Sequence, residues 1–420
     1  MARLSVIASA LVPAAMALCL LASGPARATG EDDLPPYKMI RSLEYVQDSV
    51  VLGDHSAIEM QRYLLSAIDR RLRAADPAVF DDPRNADAAM IYAMSGGNPE
   101  TLSFLTARDI EGNFDNRITD ALRQYLNGKG AMMVEMLTKA APEYKDGRLG
   151  PYLYLILGNA ASISNPKEAM RAYDWARLTA PGTIIEEAAL RRSVSIALDT
   201  YNSERGFHYA LFYARRFMTS PYASQFADLF VEMAVRNYNG SYREKIVEIL
   251  DFMDPDRRRE VYLRIARRAA IAGMKDLASL ASQRAQELSG PDDADVLTRA
   301  GLYSDLVSVP STDILTAVKQ IETIPEDSLS PRDRALRDAA RLVADEVMRA
   351  PDPESLTQAS GSSVVPQKKT DDGVAGKAAD TGEPPAAAPA EPNAAIDSFV
   401  TAGRSKLDEI DSLLKGDGLQ

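Results

Sequence analysis

Cysteine and histidine are almost missing from this chain. Of 420 residues only Cys19 is a cysteine and only His55 and His208 are histidines. Thiolates and imidazoles are the usual zinc ligands, so a zinc centre is not expected, and no disulfide can form within a chain that has one thiol. Also lacking are the G-x-S-x-G elbow, the phosphate-binding loop, H-E-x-x-H and the dinucleotide-binding glycine pattern. A carboxylate pair of the glycosidase kind cannot be recognised from spacing in a helical protein, but nothing points to one. No cofactor is expected, and a non-catalytic protein is the better reading. Runs of alternating β-branched residues are absent too, which argues against a sheet.

Positive charge is the scarcer sign, with 48 Lys and Arg against 60 Asp and Glu for a net charge of −12. An acidic balance of this size disfavours nucleic acid and anionic membrane surfaces as main partners.

The first 28 residues, "MARLSVIASALVPAAMALCLLASGPARA", have a basic start at Arg3, an apolar stretch to about Ala22, and small residues at Ala26 and Ala28. This is the layout of a secretory signal peptide cleaved after Ala28, with an uncleaved membrane anchor as the competing reading. Cys19 follows Leu18 where lipid attachment would want a small residue, so simple export to the periplasm is expected. Cleavage removes Arg3, Arg27 and the one cysteine, taking the charge from −12 to −14. Stability of the exported chain then rests on packing.

From there to about residue 350, apolar residues recur every three or four positions, the helical period. Ile40, Leu43, Val46 and Val50 line one helix, and Leu65, Ile68 and Leu72 line the next. Between them lies "GDHSAIE". Gly53 suits the left-handed position past a helix end, and Ser56 with Glu59 has the spacing of a capping box. His55 therefore reads as part of a turn, with no second base or ligand beside it. Asn98 before Pro99 and Asn165 before Pro166 mark two further helix starts.

Prolines at 142, 181, 221, 255 and 291 punctuate the middle of the chain, at spacings of 39, 40, 34 and 36. That period, with paired helices, predicts a degenerate tetratricopeptide-like solenoid over residues 29–350. "KEAMRAYDWARLTAP" resembles the second helix of such a repeat, with Ala172 and Ala176 allowing close approach. Residues 351–395 turn to Pro, Ala, Gly, Ser, Thr and charge, as in "TGEPPAAAPAEP", which predicts a disordered linker. Its reach is about 35–40 Å. Residues 396–415 place Ile396, Phe399, Val400, Leu407, Ile410, Leu413 and Leu414 at helical intervals. This predicts an amphipathic helix that docks on a partner or packs back as a cap.

Two surfaces are candidate partner sites. In "DRRREVYLRIARRAAIAG" the apolar face is Tyr262, Ile265, Ala266, Ala269 and Gly273, and Arg257, Arg264, Arg267 and Arg268 fall opposite. If this is the first helix of its repeat, those arginines line the concave groove and would suit a carboxylate-rich peptide or anionic polymer. The plainer reading is a solvated face paired with its own acids. On the tail the candidates are Phe399, Leu407, Ile410 and Leu414. "FHYALFYARRF" packs five aromatics into eleven residues, and their single broad stripe predicts core, with His208 at its edge.

Three phrases, "YVQDSVVLGDHSAIEMQRYLL", "FDDPRNADAAMIYAMSGGNPETL" and "RGFHYALFYARRFMTSPYA", together with the Pro/Ala-rich tail, resemble the MotC family of periplasmic motility proteins of alpha-proteobacterial flagellar systems. The resemblance runs from about Tyr37 to Ser289. It implies a soluble periplasmic protein needed for flagellar rotation, binding the periplasmic part of the stator protein MotB. It assigns no contact residues. A general envelope scaffold or chaperone, and more remotely a peptidoglycan lyase or hydrolase, are the alternatives.

Overall fold

Helix starts follow a simple local rule in the computed structural model, which describes residues 34–290, 292–307 and 314–349. A small polar side chain accepts an otherwise unpartnered backbone N–H, and a proline supplies the first helical φ without needing a partner. Asp82, Asn98, Asn165, Asp254 and Ser330 each do so ahead of Pro83, Pro99, Pro166, Pro255 and Pro331. The Asn98 and Asn165 caps are those expected from the sequence.

All regular structure among the described residues is helical. Six helices come first: α1 (Pro36–Val51), α2 (Ala57–Ala74), α3 (Pro83–Met94), α4 (Pro99–Thr106), α5 (Asn116–Leu126) and α6 (Val134–Ala140). A solenoid-like array follows. Its successive pairs are α7 (Gly150–Ala161) and α8 (Pro166–Thr179), α9 (Ile184–Asp199) and α10 (Ser203–Phe217), α11 (Ala223–Arg236) and α12 (Arg243–Leu250). Then come α13 (Pro255–Ile271) and α14 (Lys275–Glu287), α15 (Ala294–Leu306) and α16 (Ile314–Thr323), and finally α17 (Pro331–Met348).

First helices stack in one row, α7 on α9, α9 on α11, and so on to α17. Second helices wedge between neighbours, as α8 does against α7 and α9, and α14 against α13 and α15. Pro142, Pro181, Pro221 and Pro255 all mark the passage from one pair to the next first helix. Pro291 lies outside the described residues. "KEAMRAYDWARLTAP" forms α8, a second helix, with Ala172 and Ala176 buried.

The core is aromatic through the middle pairs. Phe207, Tyr209, Tyr213 and Phe217 of α10 are fully buried, and Tyr213 stacks on Phe226 of α11 with ring centroids 4.1 Å apart. Phe212 is half-buried and holds the ring of His208 edge-on at 4.5 Å. The stripe is core, as its spacing predicts.

Two local expectations need correction. Ser56 does not cap α2: its N–H donates to Asp54 Oδ1 at 3.1 Å, its hydroxyl donates to the same oxygen at 2.5 Å, and Glu59 instead pairs with Arg62. Ser56 is already helical at φ −68°, ψ −24°, not in the extended geometry a capping residue needs, and its hydroxyl is turned to Asp54. Gly273 is not part of the buried face of α13; it is exposed, past the helix end, at φ +68°. Tyr262, Ile265, Ala266 and Ala269 are buried as predicted.

The chain divides at Ala350 into two units, and the described residues all belong to the first. The leader, the linker and the tail segment with Phe399, Leu407, Ile410 and Leu414 lie outside them.

Candidate partner-binding groove

Side chains of the row of first helices build the candidate site, with α3 packed against its α7 and α1 against its α9. On α13, Arg264, Arg267 and Arg268 line a depression of about 380 Å³ together with Arg299, Tyr303 and Asp333. The sequence places these three arginines together correctly. Their charges, however, are already met. Arg264 pairs with Asp228 of α11, Arg268 with Glu232 of α11, and Arg267 with Asp333 at 3.2 Å. Arg299 lies 3.0 Å from Asp295 and 3.9 Å from Glu260 of α13. Neighbouring first helices are thus joined by ion pairs one repeat apart, 36 residues for Asp228 and Arg264. This is the self-paired face weighed against a free basic groove.

Arg257 stands apart from that depression. At the start of α13 its guanidinium donates to the Met218 carbonyl at 2.5 Å, tying α13 to the turn after α10. Asp333 is nearly buried and accepts from Ser330 Oγ at 2.7 Å and from the Tyr303 hydroxyl at 2.9 Å. Burial, then the Asp333 charge, pushes the Tyr303 hydroxyl well above its usual range.

A second depression of about 350 Å³ lies earlier in the row, where α7, α9 and α11 meet, lined by Tyr152, Leu155, Glu187, Arg191, Arg192 and Tyr222 among others. Glu187 is fully buried and takes Arg191 on both oxygens, at 2.9 and 3.2 Å, while Oε1 also accepts from the Tyr213 hydroxyl at 2.9 Å. The Arg191 guanidinium lies over the Tyr222 ring at 4.9 Å and donates to Gln225 at 3.0 Å. Beside it, Arg192 Nη1 donates to Asn159 Oδ1, a neutral acceptor that also receives the Tyr173 hydroxyl at 2.9 Å. Burial carries that tyrosine up to about 12, with Arg192 opposing. Sequence reading missed Arg191 and Arg192. The helical-wheel argument made for α13 applies equally to α9, the first helix after Pro181.

The α1–α2 hairpin borders this second depression, with Gln47 on its edge. Asp48 Oδ1 accepts the Ile184 N–H at the start of α9 at 2.9 Å, and Arg148 and the Tyr152 hydroxyl both donate to Glu44. Desolvation raises the Asp48 carboxyl from 3.8 to about 6, with the Ile184 N–H opposing and Glu44 adding to the rise. At the hairpin tip His55 Nε2 donates to the Thr219 carbonyl at 2.7 Å, so the turn residue is also a clasp.

A further depression of about 580 Å³, lined by Phe80, Leu105, Arg108, Asp109 and Phe114, lies among the N-terminal helices and uses no helix of the row. Among the described residues, no group of three His, Cys, Asp or Glu is placed to hold a metal ion, and no helix is long and apolar enough to cross a membrane.

The two depressions on the row of first helices are polar and arginine-bearing. The family model described as "MotC: Chemotaxis protein MotC" matches residues 1–418. A "Chemotaxis protein MotC" of Rhizobium meliloti (strain 1021) is 59% identical over 418 residues, covering 95% of this chain and 96% of that protein. No solved structure matches. With a family match over nearly its whole length and a relative this similar, the chain belongs to the MotC family of chemotaxis proteins.

Proposed function

We propose that this chain is a non-catalytic periplasmic binding protein required for flagellar rotation, which holds and positions the periplasmic part of the stator protein MotB. The observation that carries the reading is the row of first helices: it offers two arginine-lined depressions suited to an extended polypeptide. Membership of a chemotaxis family supports a role in motility, and the leader-like first 28 residues support a periplasmic location. The tail residues Phe399, Leu407, Ile410 and Leu414 form a second docking element in this proposal.

Calorimetry of the chain from Thr29 to Gln420 with the periplasmic part of MotB tests it, beside a chain ending at Ala350. Saturable binding supports the reading, and its loss on truncation assigns it to the tail. No binding by either, or capture of several unrelated envelope proteins, points to a general scaffold. Deletion of the gene should abolish swimming while filaments still assemble.

A further inference from the structure

The two depressions differ in their charge balance. In the later one Arg264, Arg267, Arg268 and Arg299 each already meet a carboxylate of the same chain. In the earlier one Arg191 is satisfied by Glu187, yet Arg192, half-buried on the same helix, meets only the neutral Asn159 and the neighbouring Tyr173 hydroxyl. Asn159 is itself committed, since its Nδ2 donates to the Tyr125 hydroxyl at 2.9 Å and its Oδ1 accepts from Tyr173. The amide is locked by two tyrosines, which orients the guanidinium without neutralising it. Among the described residues no carboxylate lies within ion-pair reach of Arg192.

A guanidinium has five N–H donors in a planar fork, and a partly buried one without an anion is an unfilled site for a carboxylate. The surroundings narrow the ligand. Leu155, Ile184 and Met94 supply apolar wall, Tyr152 and Tyr222 supply aromatic faces, and the space is about 350 Å³. That volume takes two or three side chains of a peptide rather than a folded domain.

We infer that the depression between α7, α9 and α11 is the acidic-residue subsite of the groove: it takes an Asp or Glu side chain of an extended partner segment on Arg192, with a flanking apolar side chain against Leu155 and Ile184. This rests on the proposed binding role of the groove, and it relocates the decisive contact from the α13 arginines to α9. Charge complementarity is the reason. An acid arriving at Arg264 or Arg268 must displace Asp228 or Glu232, whereas one arriving at Arg192 displaces only water.

The test uses the exported full-length chain and two capped octapeptides, one with two glutamates and two leucines, the other with glutamine in place of glutamate. The glutamate peptide should bind at least about tenfold more tightly than the glutamine one. Arg192→Gln should erase that preference, Arg192→Lys should keep most of it, and Arg264→Gln should change it less than about twofold. Because Arg192→Gln also disturbs the Asn159 network, Asn159→Asp serves as a second variant. It is isosteric, leaves Arg192 in place and puts a carboxylate at the atom the guanidinium already meets, so it too should erase the preference. Equal binding of both peptides to the wild type, or an unchanged preference in Arg192→Gln and Asn159→Asp, overturns the subsite.

Repeating the variants with the periplasmic part of MotB separates the two proposals. MotB binding that ignores Arg192→Gln overturns the subsite and leaves the motor role standing. Failure of MotB to bind the wild type overturns the motor role, while the peptide comparison still decides the subsite.

Discussion

His55 Nε2 reaches the carbonyl oxygen of Thr219 across 164 residues of sequence, and Thr219 returns the contact by donating its hydroxyl to the Leu52 carbonyl at 3.2 Å. Two turns far apart in the chain therefore close on each other. His55→Ala should lower stability by about 0.5–1 kcal/mol, the usual range for one exposed hydrogen bond. Its local signature should be faster amide exchange at Gly53 to Ala57 and at Thr219 to Ala223. Unchanged exchange in both turns would show that the contact has no energetic role.

Gly53 makes the same contact possible from the backbone. It sits at φ +112°, and an added Cβ would lie 2.8 Å from Thr219 Oγ1. Gly53→Ala therefore combines backbone strain with a clash and should lose about 2–3 kcal/mol. Gly182→Ala is the control, since Gly182 is at φ +80° with nothing within 4 Å of the new methyl. Thermal melts should show the larger loss at Gly53, and equal losses would mean that the clash relaxes freely.

Asp48 gives the hairpin a pH dependence of known sign. Its carboxyl stands at about 6 in the fold against 3.8 ordinarily, so the fold prefers the neutral form. The contribution is complete below about pH 4 and is lost as pH rises through 6. Asp48→Asn keeps an acceptor for the Ile184 N–H and cannot ionise. The variant should be more stable than wild type at pH 7.5, with the gap clearly narrower at pH 4.5, in urea melts at both values. A gap that widens on acidification would contradict the assignment.

Glu187 is the buried acid on which the second depression depends. Glu187→Gln leaves Arg191 without a counter-ion and should destabilise by about 3 kcal/mol. Tyr213→Phe removes only one neutral donor from the same oxygen and should lose about 1 kcal/mol. Denaturant midpoints at constant slope read both. Similar losses from the two changes would show that the charge of Glu187 contributes little.

The inter-repeat ion pairs are exposed and individually weak. Asp228→Ala and Arg264→Ala should each change stability by less than about 1 kcal/mol, and the exchanged pair Asp228→Arg with Arg264→Asp should restore most of any loss. A loss above about 2 kcal/mol from either single change would mark the pair as structural rather than decorative.

Much of this fold could be read before any coordinates, for reasons that are local. Asn98 and Asn165 precede prolines, and a cap followed by proline has few other uses, so α4 and α8 begin where expected. The proline period located the starts of new first helices because proline suits the turn before a helix or its first position, as at Pro181, Pro221 and Pro255. The capping box failed because Ser56 takes a helical backbone conformation in the turn behind Asp54, and residue spacing alone does not report backbone conformation. The groove was half legible. The wheel placed Arg264, Arg267 and Arg268 on one face, but neutralisation is a property of neighbouring helices, and only a scan for acid and arginine about 36 residues apart would have flagged Asp228 and Glu232. Arg192 was illegible for the converse reason: what distinguishes it is the carboxylate that does not arrive.

A stack of helix pairs that touch only their neighbours can be assembled one pair at a time, in order. The clasp between the α1–α2 turn and the turn holding Thr219 breaks that rule, because the first hairpin meets its partner only after α7 to α10 have been made. A chain emerging from its N-terminus can close this contact only once the second pair is complete, and the closed clasp ties the hairpin to the far end of that pair.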